Sequence, residues 1–310
     1  QSLYTSAAAT PPGGEEDADL IEAAGFVDSA SHTWGLIATR SAISRLTGQG
    51  IKVAVLDTGL FLAHPDFIGR SVVSRSFIPG VVSANDGHGH GTHCTGTACG
   101  ALKPAVGPRY GIAHKANIFI AKVLSDQGSG VDGGILAGID WAIANKCHVI
   151  SMSLGANVPT TTSFYETAGQ RALNAGSLIV AAAGNNANRS AGNFGFVGRP
   201  ANSRTFMAVG ALDGNLRMAN FSARDTARVA GSAVDIAVPG VAVYSSWPMP
   251  TRYRAISGTS MATPHVAGIA ALWAQATGAR GAALWLRLIA NSRALSLPIV
   301  DVGRGLVQAP

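Results

Sequence analysis

Short apolar strands alternate with helical segments along most of this chain, from about Trp34 onward. The strand patterns are runs rich in Val, Ile and Ala, at residues 51–57, 117–123, 149–154, 177–183, 205–210 and 234–238. Helical patterns follow His90, cover residues 133–145 and, apolar nearly all round, follow Ser260. Strands that alternate with helices predict a parallel sheet covered by helices on both faces. With 310 residues and 47% hydrophobic side chains, the chain can build one large core.

Two polar residues stand where these elements begin or end. Asp57 directly follows the apolar run of residues 51–56, and His90 lies in the glycine-rich segment 86–93, at the mouth of a helix. In open α/β sheets, loops from distant parts of the chain converge beyond the carboxyl ends of the strands. We therefore expect Asp57 and His90 to meet at that edge, where they could act as an orienting acid and a base.

A candidate nucleophile and an oxyanion donor complete this group. Ser260 lies in a Gly-Thr-Ser turn that leads into an apolar helix, and a helix N-terminus favours negative charge on a reacting oxygen. Asn185 follows the buried strand pattern at residues 177–183, so its side-chain amide is expected at the same sheet edge. An amide N–H directed at a developing oxyanion is a large catalytic term.

Four motifs that carry these residues resemble those of the subtilisin-like serine proteases (subtilases, peptidase family S8). They are DTG at 57–59, HGTH at 90–93, AAAGN at 181–185 and GTSMATPHVAG at 258–268. The order acid, His, Ser differs from that of α/β-hydrolases, which also require Gly-x-Ser-x-Gly. The resemblance covers about residues 32–310 and implies a three-layer α/β/α fold with a central, mostly parallel sheet of about seven strands.

The resemblance implies a serine endopeptidase that works through an acyl-enzyme. It makes Asp57 the orienting acid, His90 the general base, Ser260 the nucleophile and Asn185 the oxyanion donor. Thr259 would support the oxyanion hole from behind, and the backbone N–H of Ser260 would be its second donor. No cofactor is expected for the chemistry.

The resemblance also assigns the substrate-binding segments. Gly128-Ser129-Gly130 and Ser153-Leu154-Gly155 would hold a peptide between them as an extra strand, and Gly198 would form the floor of the S1 pocket. A floor without a side chain and without a nearby acidic residue predicts bulky apolar or aromatic P1 residues. Pro200 is a candidate cis proline by the same resemblance.

Residues 1–31 differ in composition from the catalytic domain expected at 32–310. They carry Pro11-Pro12-Gly13-Gly14, an acidic cluster at residues 15–19 and a brief apolar patch around Leu20, which together predict a linker with a short helix. A passive tail, a propeptide remnant and an acidic arm on the catalytic surface all remain open. The chain's own propeptide is a candidate inhibitor of the enzyme.

Composition excludes several other functions. The net charge is +6, but Lys and Arg are scattered without a basic run, which argues against nucleic acid as a partner. No apolar stretch is long enough to span a bilayer. Because the sequence begins at Gln1 without Met or a signal peptide, we expect a processed form; the resemblance implies a secreted, extracellular and monomeric protein.

Any metal ion bound by this chain is expected to stabilise the structure and not to take part in the chemistry. The loop at residues 100–111 lacks the Asn-rich segment with which many subtilases bind calcium, so that site is expected to be absent, while calcium at carboxylates such as Asp213 or Asp225 stays open. His88, His90 and His93 superficially resemble a zinc cluster, but the matching motifs account for His90 better. The three cysteines are an odd number, so at least one is not in an internal disulfide.

Three functions agree with these residues. A secreted endopeptidase of broad specificity, acting on polypeptide substrates, is the leading interpretation. A dedicated precursor-processing subtilase would use the same residues, with the acidic extension guarding the cleft. A binding scaffold that has lost activity is the third, and the competent residues at all four catalytic positions argue against it.

Overall fold

The computed structural model describes residues 3–6, 25–224 and 233–310, and these contain twelve strands and seven α-helices. The strands are β1 Leu3–Ser6, β2 Lys52–Asp57, β3 Val72–Ser76, β4 Asn117–Lys122, β5 Ser129–Val131, β6 Val149–Met152, β7 Leu154–Gly155, β8 Leu178–Ala182, β9 Met207–Leu212, β10 Ile236–Pro239, β11 Val243–Ser246 and β12 Tyr253–Ile256. The helices are α1 Trp34–Ala38, α2 His90–Cys99, α3 Asp132–Ala144, α4 Ser163–Asn174, α5 Thr259–Thr277, α6 Gly281–Ala290 and α7 Ile299–Val302.

Seven strands form one central sheet, in the order β10-β9-β8-β6-β2-β4-β3. Every neighbouring pair in it is parallel. Parallel neighbours need crossover connections, and the helices between the strands provide them. The predicted parallel sheet of about seven strands is therefore confirmed.

The two faces of the sheet are covered by different helices. Along β2, Val53 and Val55 join one hydrophobic cluster with α2 and α5, whereas Ala54 and Leu56 join a second cluster with α3 and α4. Successive side chains of a strand point to opposite faces, so a strand buried on both faces reads as a continuous apolar run. The molecule thus has the predicted three α/β/α layers.

Two smaller sheets lie beside the central one. Strands β11 and β12 form an antiparallel hairpin that leads into α5. Strand β1, at the start of the sequence, lies between β5 and β7 and is antiparallel to both. The predicted helix around Leu20 lies outside the described residues.

Candidate active site

A buried hydrogen bond joins Asp57 to His90. Oδ1 of Asp57 lies 2.8 Å from Nδ1 of His90, and their exposed fractions are 1% and 0%. Asp57 is the last residue of β2 and His90 is the first residue of α2, so the pair forms at the carboxyl edge of the sheet. Because an ionised carboxylate only accepts, Nδ1 of His90 carries the proton and Nε2 is the basic nitrogen.

The start of α2 lies directly against the turn that follows Asp57. The backbone N–H of Gly91 donates to Thr58 Oγ1 at 2.9 Å, and the N–H of Thr58 donates to Asp57 Oδ1 at 2.7 Å. A Cβ at Gly91 would lie 2.2 Å from the carbonyl oxygen of Gly59. Only glycine allows this close approach, which brings the imidazole within reach of the carboxylate.

Asp86 organises the loop that precedes His90. Its carboxylate accepts hydrogen bonds from the hydroxyl of Thr58, the backbone N–H groups of His88 and Gly89, and both the N–H and the hydroxyl of Thr92, at 2.6–2.9 Å. These bonds tie the loop to the turn after β2 and to the first turn of α2. Sequence analysis did not single out Asp86; an acidic residue just before a helix start was the available signal.

The Asp57 carboxylate also sets the proton affinity of His90. Burial alone would lower the pKa of His90, but the adjacent carboxylate, with a smaller contribution from Cys94, raises the pKa well above its usual value of 6.5. The imidazolium form is therefore stabilised where a proton would be taken up during catalysis.

Ser260 is the second residue of α5, and it is buried. Its hydroxyl donates to the carbonyl oxygen of Ser153 at 3.2 Å, and the hydroxyl of Ser153 donates to the carbonyl oxygen of Ser260 at 2.7 Å. Cys94 Sγ lies 3.5 Å from the same Ser260 carbonyl oxygen and 3.9 Å from His90 Nδ1. One sulfur atom thus contacts both the imidazole and the Ser260 backbone. Nε2 of His90 makes no hydrogen bond to the described residues.

Asn185 is oriented by the residue before Ser260. Both the backbone N–H and the hydroxyl of Thr259 donate to Asn185 Oδ1, each at 2.9 Å. With Oδ1 accepting two hydrogen bonds, the amide orientation is fixed, and Nδ2 is the donor end of the side chain. Thr259 therefore contacts the Asn185 side chain directly, and its support of an oxyanion hole stays a prediction.

The two predicted substrate-binding segments lie on either side of β1. Ser129 and Gly130 belong to β5, and Leu154 and Gly155 form β7, with Gly128 and Ser153 next to them. In register, Thr5 lies opposite both Ser129 and Gly155. An extended segment of this chain thus occupies the space predicted for a peptide.

Gly198 lies against two other backbone segments. Its N–H donates to the carbonyl oxygen of Ala183 at 2.9 Å, and an added Cβ would lie 2.5 Å from the carbonyl oxygen of Ala156. Any side chain here would therefore displace the backbone. The peptide bond between Arg199 and Pro200 is cis, as the resemblance implied.

Comparison with known proteins identifies the family. The model of the Subtilase family matches residues 48–290. Subtilisin Savinase from Lederbergia lenta is 44% identical over 242 residues, which cover 77% of this chain and 82% of the relative. The chain belongs to the subtilase family. M-protease from Shouchella clausii (strain KSM-K16) is 43% identical over 261 residues, which cover 83% of this subtilase but 62% of M-protease. The subtilase thus spans less than two thirds of that relative's length.

Several side chains of this subtilase are of the types that bind metal ions. Among the described residues, one group of three such side chains lies close enough to hold an ion, and it is Asp57, His90 and Cys94 of the site itself. His93 Nε2 instead lies 2.9 Å from the carbonyl oxygen of Val243. Asp213 accepts backbone N–H groups of its own turn, and Asp225 lies outside the described residues.

All three cysteines are buried, and none forms a disulfide bond; they are Cys94, Cys99 and Cys147.

Within the described residues, no helix is both long enough and apolar enough to cross a bilayer.

Proposed function

We propose that this chain is a serine endopeptidase whose catalytic domain covers residues 32–310. The observation that carries the proposal is the buried Asp57–His90 hydrogen bond of 2.8 Å at the sheet edge, beside Ser260 at the start of α5. Nothing in this arrangement calls for a cofactor in the chemistry. Hydrolysis can proceed with a serine nucleophile, a neutral imidazole and an amide donor.

The reaction begins when Ser260 Oγ attacks the peptide carbonyl and His90 Nε2 accepts the hydroxyl proton. Asp57 holds the imidazole in the reactive tautomer and stabilises its cation. Asn185 Nδ2 and the backbone N–H of Ser260 donate to the oxyanion. The cleaved peptide bond leaves Ser260 acylated, and His90 gives its proton to the departing amine. Water, activated by His90, then hydrolyses the ester and restores Ser260.

The activity is tested with denatured casein as substrate. We expect hydrolysis that a sulfonyl fluoride abolishes, because such a reagent blocks the serine, and that a brief treatment with a calcium chelator leaves largely intact. A folded protein without hydrolysis under these conditions would contradict the proposal. Slow loss of activity during long incubation with the chelator would support a structural calcium ion, for which no site is assigned.

We propose that the pocket at Gly198 prefers bulky apolar P1 residues. A Cβ at Gly198 would meet the backbone carbonyl groups of Ala156 and Ala183, neither of which is an acidic residue, and the Arg199 guanidinium donates to the carbonyl oxygen of Thr160. In peptides that differ only at P1, we expect kcat/KM to be about 10- to 100-fold higher for Phe than for Arg or Glu, the range for a desolvated charge without a partner. Faster cleavage after Arg would contradict the assignment.

Asn185→Ala is expected to lower kcat by about 10²- to 10³-fold with little change in KM, since Nδ2 would donate mainly to the oxyanion. The magnitude is the one known for the oxyanion asparagine of subtilisin, a member of the same family. Asn186→Ala is the matched control, because Asn186 instead accepts from the N–H of Phe196 at 2.8 Å. An equal effect of both variants would point to general damage of the loop.

We further propose that the N-terminal segment competes with substrate, which makes the chain's own N-terminal region its inhibitor. The backbone of residues 3–6 pairs with β5 on one side and with β7 on the other, as an extended peptide substrate would. A tethered strand acts at an effective concentration of about millimolar, so even weak intramolecular binding would reduce access to the cleft.

Deleting residues 1–24 tests this proposal, because it removes β1 and keeps residues 25–31, where Phe26 donates to Gly214 and Asp28 accepts from Trp34. We expect the apparent KM for a short peptide to fall about tenfold while kcat stays the same. Thr5→Pro, which removes a backbone donor from β1 at unchanged length, should give a smaller shift in the same direction. Equal KM values in all three proteins would contradict the proposal.

The dedicated precursor-processing subtilase is the alternative function. Cleavage profiling on a denatured protein mixture separates the two, since a broad endopeptidase cuts at many sites and a processing enzyme at few. We also propose that the protein is secreted and monomeric, as its relationship to the subtilases suggests. Elution as a single copy in size-exclusion chromatography would support the second point.

A further inference from the structure

A buried lysine ends the strand next to the one that carries Asp57. Lys122 is the last residue of β4, and its Cα is the register partner of Asp57 in β2. The residue is only 1% exposed, although lysine is among the side chains least often fully buried. Burying an ammonium group is costly unless it is paired and hydrogen-bonded, so its contacts bear on its role.

One contact of Lys122 is to the turn that carries Asp57. Its ammonium group donates to the carbonyl oxygen of Thr58. The N–H of Thr58 donates to the Asp57 carboxylate at 2.7 Å, and its hydroxyl donates to Asp86 at 2.9 Å. Lys122 therefore holds the residue that itself contacts both the orienting acid and the loop before His90.

The other contact of Lys122 is to Asp126. The distance from Nζ to Asp126 Oδ1 is 2.6 Å, and the same oxygen accepts the backbone N–H of Gly87 at 3.1 Å. Gly87 belongs to the loop that leads to His90. Partial burial would raise the pKa of Asp126, but the bonds from Lys122 and Gly87 outweigh it and lower the pKa. The carboxylate therefore remains ionised at neutral pH.

Asp126 also belongs to the turn that leads into the substrate-binding strand β5. In this turn the N–H of Ser125 donates to the carbonyl oxygen of Ser129 at 2.8 Å, and the N–H of Gly128 donates to that of Ser125 at 2.9 Å. The pair Lys122–Asp126 thus connects three segments: the Asp57 turn, the His90 loop and the turn before β5.

We propose that Lys122 and Asp126 form a positioning pair that holds the Asp57 turn, the His90 loop and β5 in their catalytic arrangement. The inference rests on the proposed endopeptidase function and deepens it. Neither residue is assigned a contact with substrate. Each acts through the groups it holds. Positioning reacting groups to within fractions of an ångström can change the reaction rate by large factors.

The charges of the pair lie outside the helix of His90, on segments bonded to the loop that precedes it. Other ionisable groups around His90 include Asp57 on β2, Cys94 and His93 on α2, and Asp86 and His88 in the preceding loop, while His265 on α5 acts on His93. Loss of the Lys122 cation would stabilise the imidazolium, and loss of the Asp126 anion would destabilise it. The two changes therefore shift the pKa of His90 in opposite directions.

The test compares Lys122→Met, Asp126→Asn and the double variant, in the full chain, by kcat, KM and the pH dependence of kcat/KM. We expect Lys122→Met to lower kcat about 10- to 100-fold. It should also raise the midpoint, the pH at which kcat/KM reaches half its maximum on the acid side, by about half a pH unit, a typical effect of one nearby charge in a partly screened site. Asp126→Asn should lower the midpoint by a similar amount. The double variant should return the midpoint to near its original value while kcat stays low.

Asp140→Asn is the matched control, since its ion pair with Arg171 is exposed, with side chains 51% and 54% accessible. We expect no change in kcat or midpoint from it.

If Lys122→Met does not fold, Asp126→Ala replaces it in the test. This variant should fold, because the Asp126 side chain is 49% exposed. Unchanged kcat and midpoint in a folded Asp126→Ala protein would overturn the inference. Failure of the endopeptidase proposal is recognised separately, because the unmodified chain would then not hydrolyse peptides.

Discussion

Ser260→Ala is expected to lower kcat by about 10⁶-fold and to leave the fold intact. This is the order of magnitude known for removal of the nucleophile of subtilisin, a member of this family. The hydroxyl of Ser260 is the proposed attacking group, and the reaction without it depends on oxyanion stabilisation and substrate binding alone. The measurement is steady-state hydrolysis of a short peptide with Phe at P1, together with thermal unfolding of both proteins.

The stability effect of this substitution should be small. Within the described part of the chain, the Ser260 hydroxyl donates to the carbonyl oxygen of Ser153 at 3.2 Å, and such a bond contributes about 1 kcal/mol to the free energy of unfolding. Ser163→Ala, at an exposed position at the start of α4, is the control and should keep full activity. An alanine variant at 260 with unchanged hydrolysis would exclude this serine as the nucleophile.

Asp57→Asn is expected to lower kcat by about 10⁴-fold, a value of the order known for the orienting aspartate of subtilisin. An Asn amide can donate to His90 Nδ1, which would place the proton on Nε2 and remove the base. It also carries no charge to stabilise the imidazolium. The variant should fold, because Asn is nearly isosteric with Asp. The atom at the Oδ1 position can then donate to His90 Nδ1 or accept from the N–H of Thr58, but not both, which should lower the free energy of unfolding by about 1 kcal/mol.

The pH dependence gives a second test of this carboxylate. His90 must be neutral to accept a proton, and its pKa is raised well above 6.5 by Asp57. For the unmodified protein, kcat/KM should therefore rise with pH through a midpoint above 6.5. In Asp57→Asn the residual activity should rise at a lower pH, because the charge that raises the pKa is gone. An unchanged midpoint would show that Asp57 does not face the titrating group.

The central sheet could be predicted because its strands are buried on both faces. Apolar runs such as residues 51–56 and 177–183 mark β2 and β8 to within about a residue or two at their ends. Strand β3 gave no such signal, since Val72–Ser76 is an edge strand with mostly exposed side chains. The pairing of residues 3–6 with β5 and β7 was also out of reach, because strand pairing depends on tertiary placement rather than on local pattern.

The proposed catalytic residues could be picked out in the sequence because each lies in a short motif at the end of an element, and their roles stay predictions. The polar residues that contact their segments could not be picked out. Asp86 is one of several polar residues in a glycine-rich loop, and its five hydrogen bonds exist only after folding. Lys122 reads as an ordinary polar residue ending an apolar strand, and its significance depends on its register with Asp57, which no local pattern encodes.

The most direct test of the central claim is covalent labelling with a fluorophosphonate, followed by mass spectrometry of the proteolysed adduct. If Asp57, His90 and Ser260 act together, one equivalent of label should be found on the peptide that carries Ser260. The labelling rate should fall by several orders of magnitude in His90→Ala, because the reagent needs an activated hydroxyl. A folded protein that takes up no label, or that is labelled at another residue, would contradict the account.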